Sequence, residues 1–361
     1  MSETFHRLPI ASVRQMSGDA IEVTFTVPPE LAAQFAYKPG QHVPIRATVD
    51  GVELRRTYSI CSGRDGPLRV GIKRVPGGAF SSWANGNLKI GEILEIAAPQ
   101  GRFVLPTSSG AARHLLMLAA GSGVTPILSL INDTLQHEPL TRVTLVYGNR
   151  SPDTAMFLEE LEDLKDRHTA RFDIIHVHSG IGVADMELLQ GRITGEKLKA
   201  LAAELIDVGS IDRAFLCGPG NFIKETRNAL FELGLARDKV HHEFFAGRTG
   251  VADAGSARAP VIIPTQAADT IQAIAILDGQ RYQFPLLRGQ HVLDAALKAG
   301  IKAPYSCTGG MCSTCRARVI EGAVAMTVNY SLEDWELKRG FVLTCQSKVT
   351  TSTLVIDYDA M

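Results

Sequence analysis

Pro304-Tyr305-Ser306-Cys307-Thr308-Gly309-Gly310-Met311-Cys312-Ser313-Thr314-Cys315 is the stretch on which the reading of this chain turns, together with Cys345 further on. The spacing is C-x4-C-x2-C with a distant fourth thiol, the arrangement in which four thiolates hold the two irons of a [2Fe–2S] cluster. Gly309 and Gly310 carry as much meaning as the sulfurs. A loop wrapped around a cluster turns its backbone N–H groups inward, and glycine reaches the positive φ values this requires. The competing reading is a four-cysteine zinc site. Such sites usually pair their ligands as C-x2-C on both sides, and Cys345 has no such mate. The pattern therefore predicts a carrier of single electrons and raises the question of where they enter.

Composition narrows the classes. A chain of 361 residues has room for two or three domains. Its net charge of −1 leaves no basic excess for nucleic acid or an anionic membrane. Met1–Arg7 lacks the apolar core of a signal peptide, and apolar runs such as Leu115–Ala120 are far too short to span a bilayer. Cysteines kept reduced to ligate metal predict a cytoplasmic protein.

The rhythm of the chain changes three times. In residues 1–108, Ile21, Val23, Phe25 and Val27 alternate with polar neighbours, as do Val43, Ile45, Ala47 and Val49, and then Leu68, Val70 and Ile72. Short alternating runs punctuated by Gly and Pro predict a closed β-barrel. In residues 109–247 apolar strands (Leu115–Ala120, Val143–Tyr147, Phe172–Val177, Ala214–Cys217) alternate with helical patterns, one of them with Thr154 as cap before Phe157-Leu158-Leu161-Leu164. That is the βαβ signature of a parallel sheet. Small and polar residues over 248–261 predict a flexible linker. From 262 to 361 the pattern is β again: Thr270–Leu277, the turn Asp278-Gly279 and Arg281–Phe284 predict a hairpin, and Val292–Leu297 a helix ended by Gly300.

Two further motifs bear on electron entry. Arg56-Thr57-Tyr58-Ser59 lies on a predicted strand, and Gly77-Gly78-Ala79-Phe80-Ser81 opens a predicted helix. A flavin needs an apolar wall, a hydroxyl near its reactive nitrogen, and a cation with N–H donors for its pyrophosphate. These residues supply those parts. Gly121-Ser122-Gly123-Val124-Thr125-Pro126 follows a strand and opens a helix, a departure from the G-x-G-x-x-G fingerprint that still offers free N–H groups to a phosphate. Arg150, after the next strand, stands where an acidic residue often marks NAD, and so points to a 2′-phosphate and NADPH. Cys217-Gly218-Pro219 ends another strand at the edge where such sheets bind ligands.

These motifs resemble the ferredoxin–NADP⁺ reductase superfamily, followed by a plant-type ferredoxin. In that family R-x-Y-S binds flavin, the glycine–serine turn binds its pyrophosphate, and G-x-G-x-T-P with C-G-P holds the nicotinamide nucleotide. The resemblance implies an FAD-binding Greek-key β-barrel, an α/β Rossmann-like NADP domain and an α+β, β-grasp-like [2Fe–2S] domain. It implies catalytic roles for Ser59, Cys217 and Glu243, the last in His242-Glu243-Phe244-Phe245, and places Cys307, Cys312, Cys315 and Cys345 on the cluster. Arg55–Ser62, Tyr147–Ser151, Leu161–Arg167 and Leu343–Ser347 are closer still to reductase subunits of phenylacetyl-CoA epoxidases, so that the expected acceptor is a di-iron oxygenase component. Reductases of steroid hydroxylases share the same order and remain the alternative. Phe222 stands where relatives commonly carry Met. Met311 and Tyr305 are expected at the rim of the cluster.

Overall fold

The structure, a computed structural model, describes residues 4–106, 110–183, 186–244, 270–305 and 307–360. The expected linker 248–261, Phe245 and the boundaries drawn at 108, 247 and 262 lie outside the described residues. The rest forms two compact units, the larger built on residues 6–54 and 58–244, the smaller on residues 4–5, 55–57 and 270–360.

The larger unit begins with strands β1 (Phe5–Ser17), β2 (Ala20–Phe25), β3 (His42–Val49), β4 (Val52–Ser59) and β5 (Arg69–Lys73), then helix α1 (Ala79–Asn87) and β6 (Ile93–Ala97). Their order in the sheet is β4-β3-β6-β1-β2-β5. An antiparallel bridge from Ile60 to Val70 joins the two ends into a ring, which leaves no strand edge open. The alternation read from the sequence is the inward face: Val23, Val43, Ile45, Val70 and Ile72 are fully buried. Each such side chain contributes roughly 1.5–3 kcal/mol by leaving water.

The same unit continues with β7 (His114–Ala120), α2 (Val124–His137), β8 (Arg142–Asn149), α3 (Leu158–Arg167), β9 (Phe172–His178), α4 (Gly195–Glu204), β10 (Arg213–Gly218), α5 (Gly220–Glu232) and β11 (Val240–Phe244). The strands pair in parallel in the order β11-β10-β7-β8-β9. The order reverses between β7 and β10, so the switch point at which such sheets take ligands lies beyond the carboxyl ends of those two strands. Helix α2 is buried along nearly its whole length, and Ala20, Cys61 and Phe103 of the barrel share one apolar core with it.

One local expectation is corrected. Thr154 does not cap α3. It closes a 3₁₀ turn over Pro152–Thr154, its Oγ1 accepting from the Ser151 N–H at 3.1 Å. Phe157 leads into the helix at φ +58°, a left-handed conformation rare for a bulky residue, and its ring is buried in the core. Packing of that ring outweighs the local capping preference.

The smaller unit comprises β12 (Thr270–Leu277), β13 (Gln280–Leu287), α6 (Val292–Lys298), β14 (Arg316–Met326), α7 (Asp334–Lys338), β15 (Phe341–Leu343) and β16 (Ser347–Asp357). The sheet order is β13-β12-β16-β14-β15, with β12 and β16 parallel and the other pairs antiparallel. Asp278 and Gly279 both take positive φ, 53° and 72°, as a two-residue hairpin turn requires. Gly300, at φ +82°, follows the end of α6.

Candidate functional site

Three arrangements of chemistry-bearing residues emerge, two in the larger unit and one in the smaller. The first surrounds the start of α1. Gly77 takes φ +71°, and no side chain caps the helix at Gly78. A Cβ on Gly78 would press on Ser81 Oγ at 2.6 Å, and that hydroxyl accepts from the Val75 N–H at 3.1 Å. The ring of Phe80 lies 5.6 Å from that of Tyr58, which stands next to Ser59 at the end of β4, the strand that also carries Arg56 and Thr57. An uncapped helix start with a glycine cradle and a tyrosine beside it fits the pyrophosphate and ring of FAD.

The second lies at the switch point. After β7, Gly121 (φ +54°) and Gly123 form a 3₁₀ turn that leads into α2, again without a side-chain cap. A Cβ on Gly123 would run into the carbonyl of Cys217, so only glycine lets the turn close against β10. Thr125, buried at the head of α2, donates from Oγ1 to the Ser122 carbonyl at 3.0 Å. Gly218 faces the Phe222 ring, which fills the space a side chain would occupy, and Pro219 stands immediately before α5. Cys217 and Glu243 are register partners on β10 and β11, so their side chains leave the sheet on one face. Burial pushes the Cys217 thiol well up, and the Glu243 carboxylate adds to the effect.

That face meets the barrel. His42 Nδ1 lies 3.5 Å from Glu243 Oε1. The N–H of Ile60, the residue after Ser59, donates to Gln41 O at 2.9 Å, next to His42. Cys217 and Glu243 are thus brought to the side of the sheet that meets His42, while Ser59 stands one residue before the Ile60–Gln41 hydrogen bond. Arg150 sits apart along the same carboxyl edge, exposed after β8, its carbonyl accepting from the Gly180 N–H at 2.8 Å. His42 is the residue that sequence reading passed over, because a lone histidine opening an apolar strand carries no motif.

The third arrangement is the cysteine loop. Cys307 Sγ accepts from the backbone N–H groups of Gly309, Met311 and Cys312, each at 3.4 Å, while Cys312 Sγ accepts from the Cys307 N–H at 3.4 Å. Thr308 and Ser313 take left-handed backbone angles, as does Gly310, which turns these donors toward the sulfurs. The thiols associate in two pairs, Cys307 with Cys312 and Cys315 with Cys345. The hydrogen bond from Cys312 and the three N–H groups, against the effect of burial, lower the Cys307 thiol below its usual value. Among the described residues no three His, Cys, Asp or Glu side chains converge to hold a single ion. Two pairs of thiols fit two irons, each taking two protein ligands. Met311 and Tyr305 are half-buried beside the loop.

Comparison with known proteins accords with this layout. The oxidoreductase FAD-binding domain family matches residues 7–105, the oxidoreductase NAD-binding domain family 117–228 and the 2Fe-2S iron-sulfur cluster binding domain family 275–350. The chain is 40% identical over 359 residues to one of the subunits of the 1,2-phenylacetyl-CoA epoxidase of Escherichia coli K12, covering 99% of this chain and 98% of that one. The chain belongs to the ferredoxin–NADP⁺ reductase superfamily, with a C-terminal [2Fe–2S] domain. A second relative of this reductase is the ferredoxin reductase component of 3-ketosteroid-9-alpha-monooxygenase from Rhodococcus rhodochrous, 33% identical with 97% and 96% of the chains covered. Phthalate dioxygenase reductase has the same fold (TM-score 0.59, 22% identity, 98% of each chain covered). The reductase is a flavin and iron–sulfur oxidoreductase that draws electrons from a nicotinamide nucleotide. No helix among the described residues is long and apolar enough to cross a membrane.

Proposed function

We propose that this reductase delivers electrons from NADPH to a di-iron monooxygenase, phenylacetyl-CoA epoxidase, in the cytoplasm. The observation that carries the choice of partner is the 40% identity with the epoxidase subunit along nearly the full length of both chains. The steroid-hydroxylase relative, at 33%, is the second reading.

When bound, FAD accepts the nicotinamide's electron pair and hands it on singly, and the cluster carries each electron to the oxygenase. Arg56, Thr57, Tyr58, Ser59 and the turn Gly77-Gly78-Ala79-Phe80-Ser81 hold the flavin. Gly121, Gly123, Thr125 and Cys217-Gly218-Pro219 hold the nucleotide, and Arg150 takes its 2′-phosphate. Ser59, Cys217 and Glu243 line the place where nicotinamide and flavin meet. Cys307, Cys312, Cys315 and Cys345 ligate the irons. Residues 1–108, 109–247 and 262–361 act as three domains, with 248–261 as tether.

The test is NADPH oxidation by purified reductase mixed with the epoxidase core, with and without phenylacetyl-CoA. Substrate-dependent oxidation with epoxide formed is the expected result. Brisk reduction of dyes without epoxidase turnover would move the assignment to a steroid hydroxylase.

A further inference from the structure

We infer that the ion pair between Arg316 and Glu336 sets how readily the iron–sulfur centre takes an electron, with Glu336 the positioning residue that holds the guanidinium and offsets its charge. The inference rests on the reading of Cys315 as a ligand of the irons.

The burial of α7 is the reverse of what hydrophobicity alone gives. Asp334, Trp335, Leu337 and Lys338 are exposed, Trp335 at 46%, while Glu336 is fully buried. A glutamate is almost never fully buried unless it is paired. Here Arg316, the residue after Cys315, donates from Nη1 to Glu336 Oε1 at 2.6 Å, and the Glu333 N–H donates to Glu336 Oε2 at 3.0 Å. Turning Trp335 and Leu337 outward gives up apolar burial, and a buried ion pair can often be replaced by apolar side chains at no loss of stability. Stability alone therefore does not account for the pair.

Its position does. Arg316 opens β14, where its N–H donates to the Ser313 carbonyl at 3.0 Å and its register partner on β15 is Leu343, just ahead of Cys345. The guanidinium lies 4.5 Å from the centre of the buried Phe341 ring, an apolar wall that excludes water. The backbone of Cys315 is fixed as well. Its carbonyl accepts from the Thr344 N–H at 3.1 Å and from Thr344 Oγ1 at 3.0 Å, and Tyr358 donates to that hydroxyl at 3.1 Å. The cation is thus held in one place relative to the Cys315–Cys345 pair of thiols.

Charge then decides the direction. Each electron that the flavin gives up adds one negative charge to the thiolate-bound irons, with no bond made or broken. A nearby cation favours that added charge and a nearby anion opposes it, the more strongly where water is excluded. Glu336 brings the pair close to neutrality, so the pull of the guanidinium on the electron is largely offset. The other charged groups of this region, Arg318, Glu333, Asp334, Lys338 and Arg339, stand exposed, where solvent screens them.

The experiment is a potentiometric titration of full-length holoprotein, with cluster reduction followed by electron paramagnetic resonance. It compares wild type with Glu336→Gln, Arg316→Lys and the double variant Arg316→Gln/Glu336→Gln. Glu336→Gln leaves the guanidinium uncompensated and should favour the reduced cluster by about tenfold, which is about 59 mV for a one-electron couple. The double variant, neutral like the wild-type pair, should return close to the wild-type potential. Arg316→Lys, which keeps the charge, should stay there. Glu336→Met makes the same change of charge with an apolar side chain and should give the same rise; it takes the place of the amide if the amide does not fold. A purely structural role would lower the urea midpoint and leave the potential where it was. An unchanged or lowered potential in Glu336→Gln or Glu336→Met, or a double variant that keeps the full rise, overturns the inference. Wild-type protein purified without iron–sulfur bands overturns the ligand reading, and the inference with it.

Discussion

Arg69 on β5 and Glu160 on α3 make a two-point contact, Nη2 donating to Oε1 at 2.6 Å and Nη1 to Oε2 at 2.9 Å. Arg69 also reaches Glu22 at 2.8 Å, and Asn132 donates to Glu160 at 3.0 Å. A single guanidinium thus links two strands of the barrel to a helix of the nucleotide-binding half, next to the apolar core that the halves share.

Arg69→Ala leaves the largely buried Glu22 and Glu160 with only the half-exposed Arg14 as a cation. It should cost about 3 kcal/mol, read as a lower urea midpoint at unchanged slope. Arg69→Lys should recover part of this, since an ammonium cannot make the paired contact.

Acid should weaken the same junction. Burial acts to raise the Glu160 carboxyl, but the hydrogen bond and charge of Arg69, with Asn132 and Arg14, outweigh it and hold the group below its usual value. A depressed folded value means that the stabilisation is complete above the unfolded carboxyl value, about 4.3, and is lost as pH falls through the lower folded one. Glu160→Gln should flatten the acid limb of a stability-against-pH curve. An identical limb in the variant would refute the assignment.

Gly123→Ala puts a methyl group into the Cys217 carbonyl, a backbone atom that cannot rotate away. The turn must open, and nucleotide affinity should drop by roughly tenfold or more. Titration with NADP⁺, followed by the flavin spectrum, measures it.

Arg150→Ala should raise the KM for NADPH by roughly tenfold, the scale of a lost charge-assisted contact, and leave NADH nearly unaffected. Equal losses for both would rule out the 2′-phosphate contact.

Cys345→Ser removes one member of the Cys315–Cys345 pair. The purified variant should keep its flavin bands, lose those of the cluster, and still pass electrons from NADPH to ferricyanide while failing to support an oxygenase. Zinc analysis of the wild type should find none in stoichiometric amount.

Much of this was legible because it depends on near neighbours. The cysteine loop needs its thiols and glycines within a dozen residues, and the Asp278-Gly279 turn needs two positive φ angles in succession. Each sheet type follows from the spacing of apolar residues. The misreading of Thr154 shows where local rules yield: the burial of the Phe157 ring, a tertiary event, chose the start of α3.

By itself the sequence determined the cluster-binding loop, the order of the barrel, parallel-sheet and iron–sulfur parts, and the glycine turns at the helix starts, since these are written in short-range stereochemistry. Only the tertiary structure decided that His42 faces Glu243, that Arg69 spans to Glu160, and that the thiols gather as Cys307–Cys312 and Cys315–Cys345. The physical reason is that strand order and shared burial, not spacing along the chain, bring such residues together, and a polar side chain acquires its chemistry from whatever that packing places beside it.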